Sequence, residues 1–284
     1  MSDVLSRAPT ILSIQSQVVG ARVGNSVAAF AMERLGVRVL SLPTTILGRR
    51  PDHGTPGGGP LPAATLAALL EGVHADGLYG DIDAVLTGYL GAAEQASVIL
   101  EAVERIKAAN PKAIFACDPV VGDEGRLFVS DAVAEAVLNG LAPRADWLMP
   151  NAYELGLLAG RTIESAAGAR NAASRFGKPV LVSSIRTATG LGNVYVAPGS
   201  EWFCETPRLP RAPKGAGDLL SALFTARRVR GDALTLALEG ATGGVYDVIV
   251  RSIAADSEDL LLPEAQDVLT DPVTWPRARQ LEPA

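Results

Sequence analysis

The stretch RAPKGAGDLLSALF, residues 211–224, sets two glycines and an aspartate at the mouth of a long apolar run. From Leu219 onward, LLSALFTARRV carries the apolar spacing of a helix, so Gly215, Ala216 and Gly217 fall at a helix N-terminus. Amides there lack intrahelical partners and face outward with the positive end of the helix dipole, which suits an anion. Two residues without Cβ let the backbone approach phosphate oxygens closely. Asp218 in the first turn is by itself a favourable helix-start charge. Beside a bound phosphoryl group, the same carboxylate can accept the proton of an attacking hydroxyl. Lys214 is either a solvated loop lysine or a positive charge beside the cradle. A Gly-x-Gly-Asp string is short enough to arise by chance, so its context has to decide.

Working outward, short β-like runs alternate with helical patterns, the signature of parallel strands joined by crossover helices. The strand candidates are TILSIQ (10–15), VRVLSLP (37–43), DAVLTG (83–88), AIFACD (113–118), DWLMP (146–150) and PVLVSS (179–184). Residues 92–110 form the clearest amphipathic helix, ended by Asn110-Pro111. Beyond residue 190, NVYVAP and EWFCETP read as a hairpin about Gly199-Ser200, followed by two helices. The 284 residues are read as one α/β domain, 1–284, with a proline-rich tail from about 262 to 284 that wraps the surface or frays. Residues 51–60, PDHGTPGGGP, contain seven Gly or Pro and form a loop, either a surface connection or a lid over a site.

In an open α/β sheet, ligands gather beyond the carboxyl ends of the strands. Those ends read Ser16-Gln17, Gly88-Tyr89, Asp118-Pro119, Pro150-Asn151 leading to Glu154, and Ser183-Ser184. Each alone is also an ordinary cap or turn former. Asn151 and Glu154, three apart, are an N-cap with its N3 partner, or an amide for a phosphate oxygen and a carboxylate for Mg²⁺ or its water. Asp118 is the natural second carboxylate for that ion. Three carboxylates around one anionic substrate call for a cation.

With 31 acidic and 25 basic residues, the net charge of −6 offers no field for nucleic acid or an anionic membrane. The opening residues lack a secretory leader pattern and no run of eighteen apolar residues occurs, which places the chain in the cytoplasm. Cys117 and Cys204 stand alone, without metal-ligand spacing or a disulfide framework, and Cys117 lies in an apolar run as core packing.

These residues resemble the ribokinase superfamily and, within it, the pyridoxal kinases, which phosphorylate the 5′-hydroxymethyl group of vitamin B6. The likeness runs through ILSIQSQVVGARVGNSVAAFAMERLGVRV, AVLTGYLGAAEQ, CDPVVGDEG, MPNAYEL and GAGDLLSALF in that order. It implies a three-layer αβα sandwich with a mostly parallel sheet and a mobile flap over about 44–60. It implies Asp218 as the base and Gly215, Ala216 and Gly217 as the anion hole. Asp118 and Glu154 would lie near metal and phosphates, with Asn151, Ser183, Ser184 and Lys214 along ATP. Ser16, Val18 and Tyr89 would border the pyridine ring, and Thr44, Asp52 and His53 would supply the flap's side of the substrate site. The family commonly forms homodimers that use Mg²⁺, often with K⁺ or Na⁺. Where the family has Ser-His-Val, this chain has Ser16-Gln17-Val18; its flap reads GRRPDHGT; and Met149 replaces a threonine found in some members near the monovalent ion. A kinase for another small alcohol, or a non-catalytic binder of B6 or nucleotide, are the competing readings.

Overall fold

The computed structural model describes residues 7–281; residues 1–6, on which the reading of the opening rests in part, and residues 282–284 of the tail lie outside it. Twelve strands are present among the described residues: β1 (Thr10–Val18), β2 (Arg38–Leu47), β3 (Gly58–Pro60), β4 (Ala84–Thr87), β5 (Ile114–Cys117), β6 (Gly122–Asp123), β7 (Arg126–Leu127), β8 (Trp147–Leu148), β9 (Val180–Arg186), β10 (Gly190–Ala197), β11 (Ser200–Pro207) and β12 (Arg279–Gln280). Ten of them form a sheet in the order β12-β11-β10-β9-β8-β5-β4-β1-β2-β3, and β6 and β7 form a small ribbon. The six central strands, β9 through β2, are parallel, and the edges are antiparallel. The six strands anticipated from sequence are these six, and the hairpin about Gly199 is β10–β11.

The helices are α1 (Asn25–Arg34), α2 (Ala63–Ala75), α3 (Gln95–Ala109), α4 (Asp131–Glu135), α5 (Ala142–Arg144), α6 (Ala152–Ala159), α7 (Ala166–Ala173), α8 (Ala216–Val229), α9 (Leu234–Ala254) and α10 (Gln266–Thr270). Period-two alternation divides the strands between two cores. Leu12, Ile14, Val85, Phe115 and Cys117 face one side, with Leu66, Ile99, Ile106, Leu141 and Leu155 from the helices there. Ile11, Ala84, Leu86 and Ala116 face the other, against Val27, Met32, Leu219, Leu223, Leu238 and Leu269. The result is helices on both faces of one sheet. Both cysteines are buried, and burial pushes each thiol up to about 12, so neither is reactive.

The structure decides between the two readings of the tail and corrects the bounds of the flap. The tail does not fray within the described residues: Leu262, Val268 and Leu269 are fully buried, and β12 pairs with β11. Thr274 N–H donates to Asp247 at 2.9 Å, and a Cβ on Gly243 of α9 would lie under 3.0 Å from the Thr274 carbonyl. The flap is shorter than 44–60. Residues 44–47 belong to β2, and Gly58–Pro60 pairs with it as an edge strand, where the missing N–H of Pro60 is tolerated. Only 48–57 is loop, with a single 3₁₀ turn at Pro51–His53.

Candidate active site

The parallel strands end on one edge of the sheet, and the start of α8 faces that edge. Gly215 caps α8 in a left-handed conformation, φ +92°. A Cβ there would lie under 3.0 Å from the Arg22 carbonyl, so both the turn and the space require glycine. The first intrahelical bond runs from Leu219 N–H to the Gly215 carbonyl at 2.9 Å, which leaves the amides of Ala216, Gly217 and Asp218 outside the helical ladder.

Asp218 is half-buried, and Oδ2 accepts the Gly24 N–H at 2.8 Å. Burial raises its carboxyl to about 6, against the opposing effect of that hydrogen bond. Asp118, just past β5, is buried and accepts the Ser221 hydroxyl at 2.6 Å, one helical turn beyond Asp218. Burial lifts Asp118 to about 8, Ser221 pulls it down, and the Asp218 charge adds to the rise.

Glu154 is buried at the start of α6. Its Oε1 accepts Val121 N–H at 3.0 Å and Gly122 N–H at 3.4 Å, and its Oε2 accepts Asn151 N–H at 2.9 Å. Asn151 in turn accepts Glu154 N–H at 2.9 Å and donates to the Gly122 carbonyl at 2.8 Å. The capping box is therefore real, and the same pair anchors the β6–β7 ribbon. Burial, then the charge of Asp118, raises Glu154 well above the ordinary carboxylate range.

Alongside runs a cleft of about 1270 Å³ that reaches Asn151, Ser183, Ser184, Lys214 and the Gly215–Gly217 turn. Ser184, with φ +63°, is one of three non-glycine residues in the left-handed region among those described. The cleft also takes in residues that the sequence did not single out: Tyr153, Leu157, Leu191, Tyr246 and Arg208. They come from α6, strand β10, the segment just past β11 and α9.

On the other side, Ser16 is buried under Gly24, and Tyr89 is half-buried at the end of β4. Val18 and Thr44 depart from the sequence reading. Val18 is buried against Ala21 and Leu47. Thr44 is fully buried, its hydroxyl donating to the Tyr89 carbonyl at 2.6 Å and its carbonyl accepting Gln95. Both side chains are closed off from solvent, and Thr44 holds the Tyr89 carbonyl. Asp52 and His53 also have partners. The buried Arg50 forks onto Asp52 at 3.0 and 2.9 Å, meets His53 Nε2 at 2.8 Å and reaches Asp259 at 3.4 Å. The Arg50 hydrogen bond holds Asp52 below the usual carboxylate range.

Among the described residues, no group of three or more His, Cys, Asp or Glu is placed to hold a metal ion. Two buried carboxylates, with the charge of Asp118 adding to the rise of Glu154, suit instead a hard cation that keeps phosphate and water in its coordination sphere.

The phosphomethylpyrimidine kinase family profile matches residues 30–261. A pyridoxal kinase of Pseudomonas savastanoi pv. phaseolicola is 39% identical over 279 residues, covering 94% of this chain and 97% of its own length. This chain belongs to the pyridoxal kinase family of the ribokinase superfamily. A pyridoxal kinase from Leishmania donovani, solved with ADP and pyridoxamine, superposes with a TM-score of 0.90 at 28% identity, covering 96% of this chain and 99% of that one. The pyridoxal kinase of Entamoeba histolytica shares the fold, with a TM-score of 0.90 at 22% identity and coverage of 97% and 100%. The three-layer sandwich is thus ribokinase-like, and the family is one of ATP-dependent kinases, a class that works with a divalent metal. No helix among the described residues of this pyridoxal kinase family member is long and apolar enough to cross a membrane.

Proposed function

We propose that this protein transfers the γ-phosphoryl group of ATP to the 5′-hydroxymethyl group of pyridoxal, with pyridoxine and pyridoxamine as further acceptors, giving pyridoxal 5′-phosphate in vitamin B6 salvage. The observation that supports it is the Gly215–Asp218 turn: free helix-start amides on a long cleft, with a carboxylate beside them that faces the end of β1. In this reading, 1–284 acts as one cytoplasmic kinase domain, as a homodimer. ATP lies along Asn151, Ser183, Ser184 and Lys214, and pyridoxal lies by Ser16 and Tyr89 under the 48–57 loop. The amides of Ala216 and Gly217 stabilise the migrating phosphoryl group, and Asp218 takes the hydroxyl proton.

Asp118 and Glu154 would hold Mg²⁺, directly or through water; when bound, the ion neutralises charge on the nucleotide phosphates. K⁺ or Na⁺ would assist. Met149, buried and accepting the Thr225 hydroxyl at 3.7 Å, offers only a thioether where the resemblance puts a hydroxyl, a poor ligand for a hard cation. An ADP-release assay with pyridoxal, with and without K⁺, tests the activity; no ADP with any B6 vitamer ends the proposal. The phosphomethylpyrimidine kinase profile keeps a second acceptor class in view, so hydroxymethylpyrimidine belongs in the same panel.

The rate should depend on ionised Asp218. With its carboxyl raised to about 6, kcat should fall below that pH and level off above it. A pH–rate profile with no acid limb between about 5 and 7 would remove Asp218 from the proton transfer.

The loop over the substrate side is held by Arg50. Arg50→Ala leaves Asp52, His53 and Asp259 unanchored, so the KM for pyridoxal should rise several-fold while that for ATP stays put. Equal changes in both would place the effect in the fold as a whole.

A further inference from the structure

A carboxylate that acts as a base needs one oxygen held so that the other is free to meet the incoming hydroxyl. The structure supplies that hold from a backbone turn far away in sequence. Gly24, between β1 and α1, donates its N–H to Asp218 Oδ2 at 2.8 Å. Its backbone, φ +56° and ψ −133°, lies in a region that L side chains rarely occupy. A Cβ would lie 2.5 Å from the Ser16 hydroxyl oxygen and nearer still to the Ser16 carbonyl. Gly24 is further fixed by a bridge to Gln17 at the end of β1.

The same turn meets α8 at a second point, the Arg22 carbonyl packed against Gly215. The turn that holds the base therefore also seats the glycine of the phosphate cradle. Base and cradle share one backbone reference, and two glycines in positive φ, one on each side, allow the approach.

We propose that the Gly24 amide is the positioning group for the base: it pins Asp218 Oδ2 and leaves Oδ1 to receive the proton. The inference rests on the reading of Asp218 as base. In the step it serves, the substrate O–H bond breaks and its proton passes to Oδ1. The oxygen's electron pair forms the new bond to the γ-phosphorus, and the bond from that phosphorus to the bridging oxygen breaks as ADP leaves.

The test is Gly24→glycolic acid, a backbone ester that puts an oxygen in place of the N–H donor and adds no side chain. A hydrogen bond to a charged group contributes about 1.5–3 kcal/mol, so kcat with pyridoxal should fall by roughly 10-fold to 100-fold, with the KM for ATP within about twofold. In an Asp218→Asn background, measured by single-turnover phosphoryl transfer, the ester should cause no further loss, because the amide there still accepts the Gly24 N–H but offers no proton-accepting oxygen for that bond to position. An ester enzyme with wild-type kcat, or one that loses as much in the Asp218→Asn background, overturns the positioning role while leaving the kinase reading intact. Wild-type turnover by Asp218→Asn itself overturns both.

Discussion

Asp218→Asn should lower kcat by about 10²-fold to 10⁴-fold while ATP still binds, since positioned general base catalysis contributes that much. The amide keeps the size of the carboxylate and can still accept the Gly24 N–H, but it cannot take up a proton. Calorimetric ATP titration beside steady-state kinetics separates the two effects. Turnover within tenfold of the parent would show that the hydroxyl loses its proton elsewhere. The same variant makes a second claim. Because burial raises the folded carboxyl to about 6, above the value of an unfolded aspartate, the charged form costs folding stability. Its favourable contribution is complete below the unfolded value and is lost as pH rises through about 6. Asp218→Asn should therefore melt higher than the parent at neutral pH, and the gain should shrink towards pH 4. A constant difference across that range would mean that Asp218 is not displaced from its ordinary titration.

Gly215→Ala should be nearly as damaging, by a different route. At φ +92° an L side chain is strained, and the new methyl would collide with the Arg22 carbonyl. The start of α8 must then move, and with it the amides of the cradle. Losing one oxyanion-type donor costs about 10²-fold to 10³-fold in kcat, and a shifted turn misplaces several. Gly217→Ala is the control: a Cβ there meets nothing within 4 Å, so the melting temperature should hold while the methyl projects beside the phosphate path. Kinetic loss in Gly217→Ala with unchanged melting would locate the phosphoryl group at this turn. Parent-like kinetics in both variants would remove the cradle from the mechanism.

The alternation of apolar runs and helical patterns made the six parallel strands legible, because each depends on residues that are neighbours in the chain. The Gly-x-Gly-Asp turn was legible for the same reason: its glycines, its amides and its carboxylate occur within four consecutive residues, and helix-start chemistry is local. The capping pair Asn151 and Glu154, three apart, could also be read directly. What each side chain touches could not be read. Gly24 holds Asp218 across 194 positions, and Arg50 reaches Asp259 across 209. Glu154 meets Val121 only because α6 packs on the β6 ribbon. Val18 and Thr44 carry no local sign that their side chains are closed off from solvent, and the packing of the tail depends on a glycine of α9 that leaves room for it. Secondary structure and helix ends follow from short-range sterics and backbone hydrogen bonding, which the order of residues fixes. The orientation of Asp218, the anchoring of the loop and the depth of each candidate contact follow from which distant segments the sheet brings together, and only tertiary packing decides that.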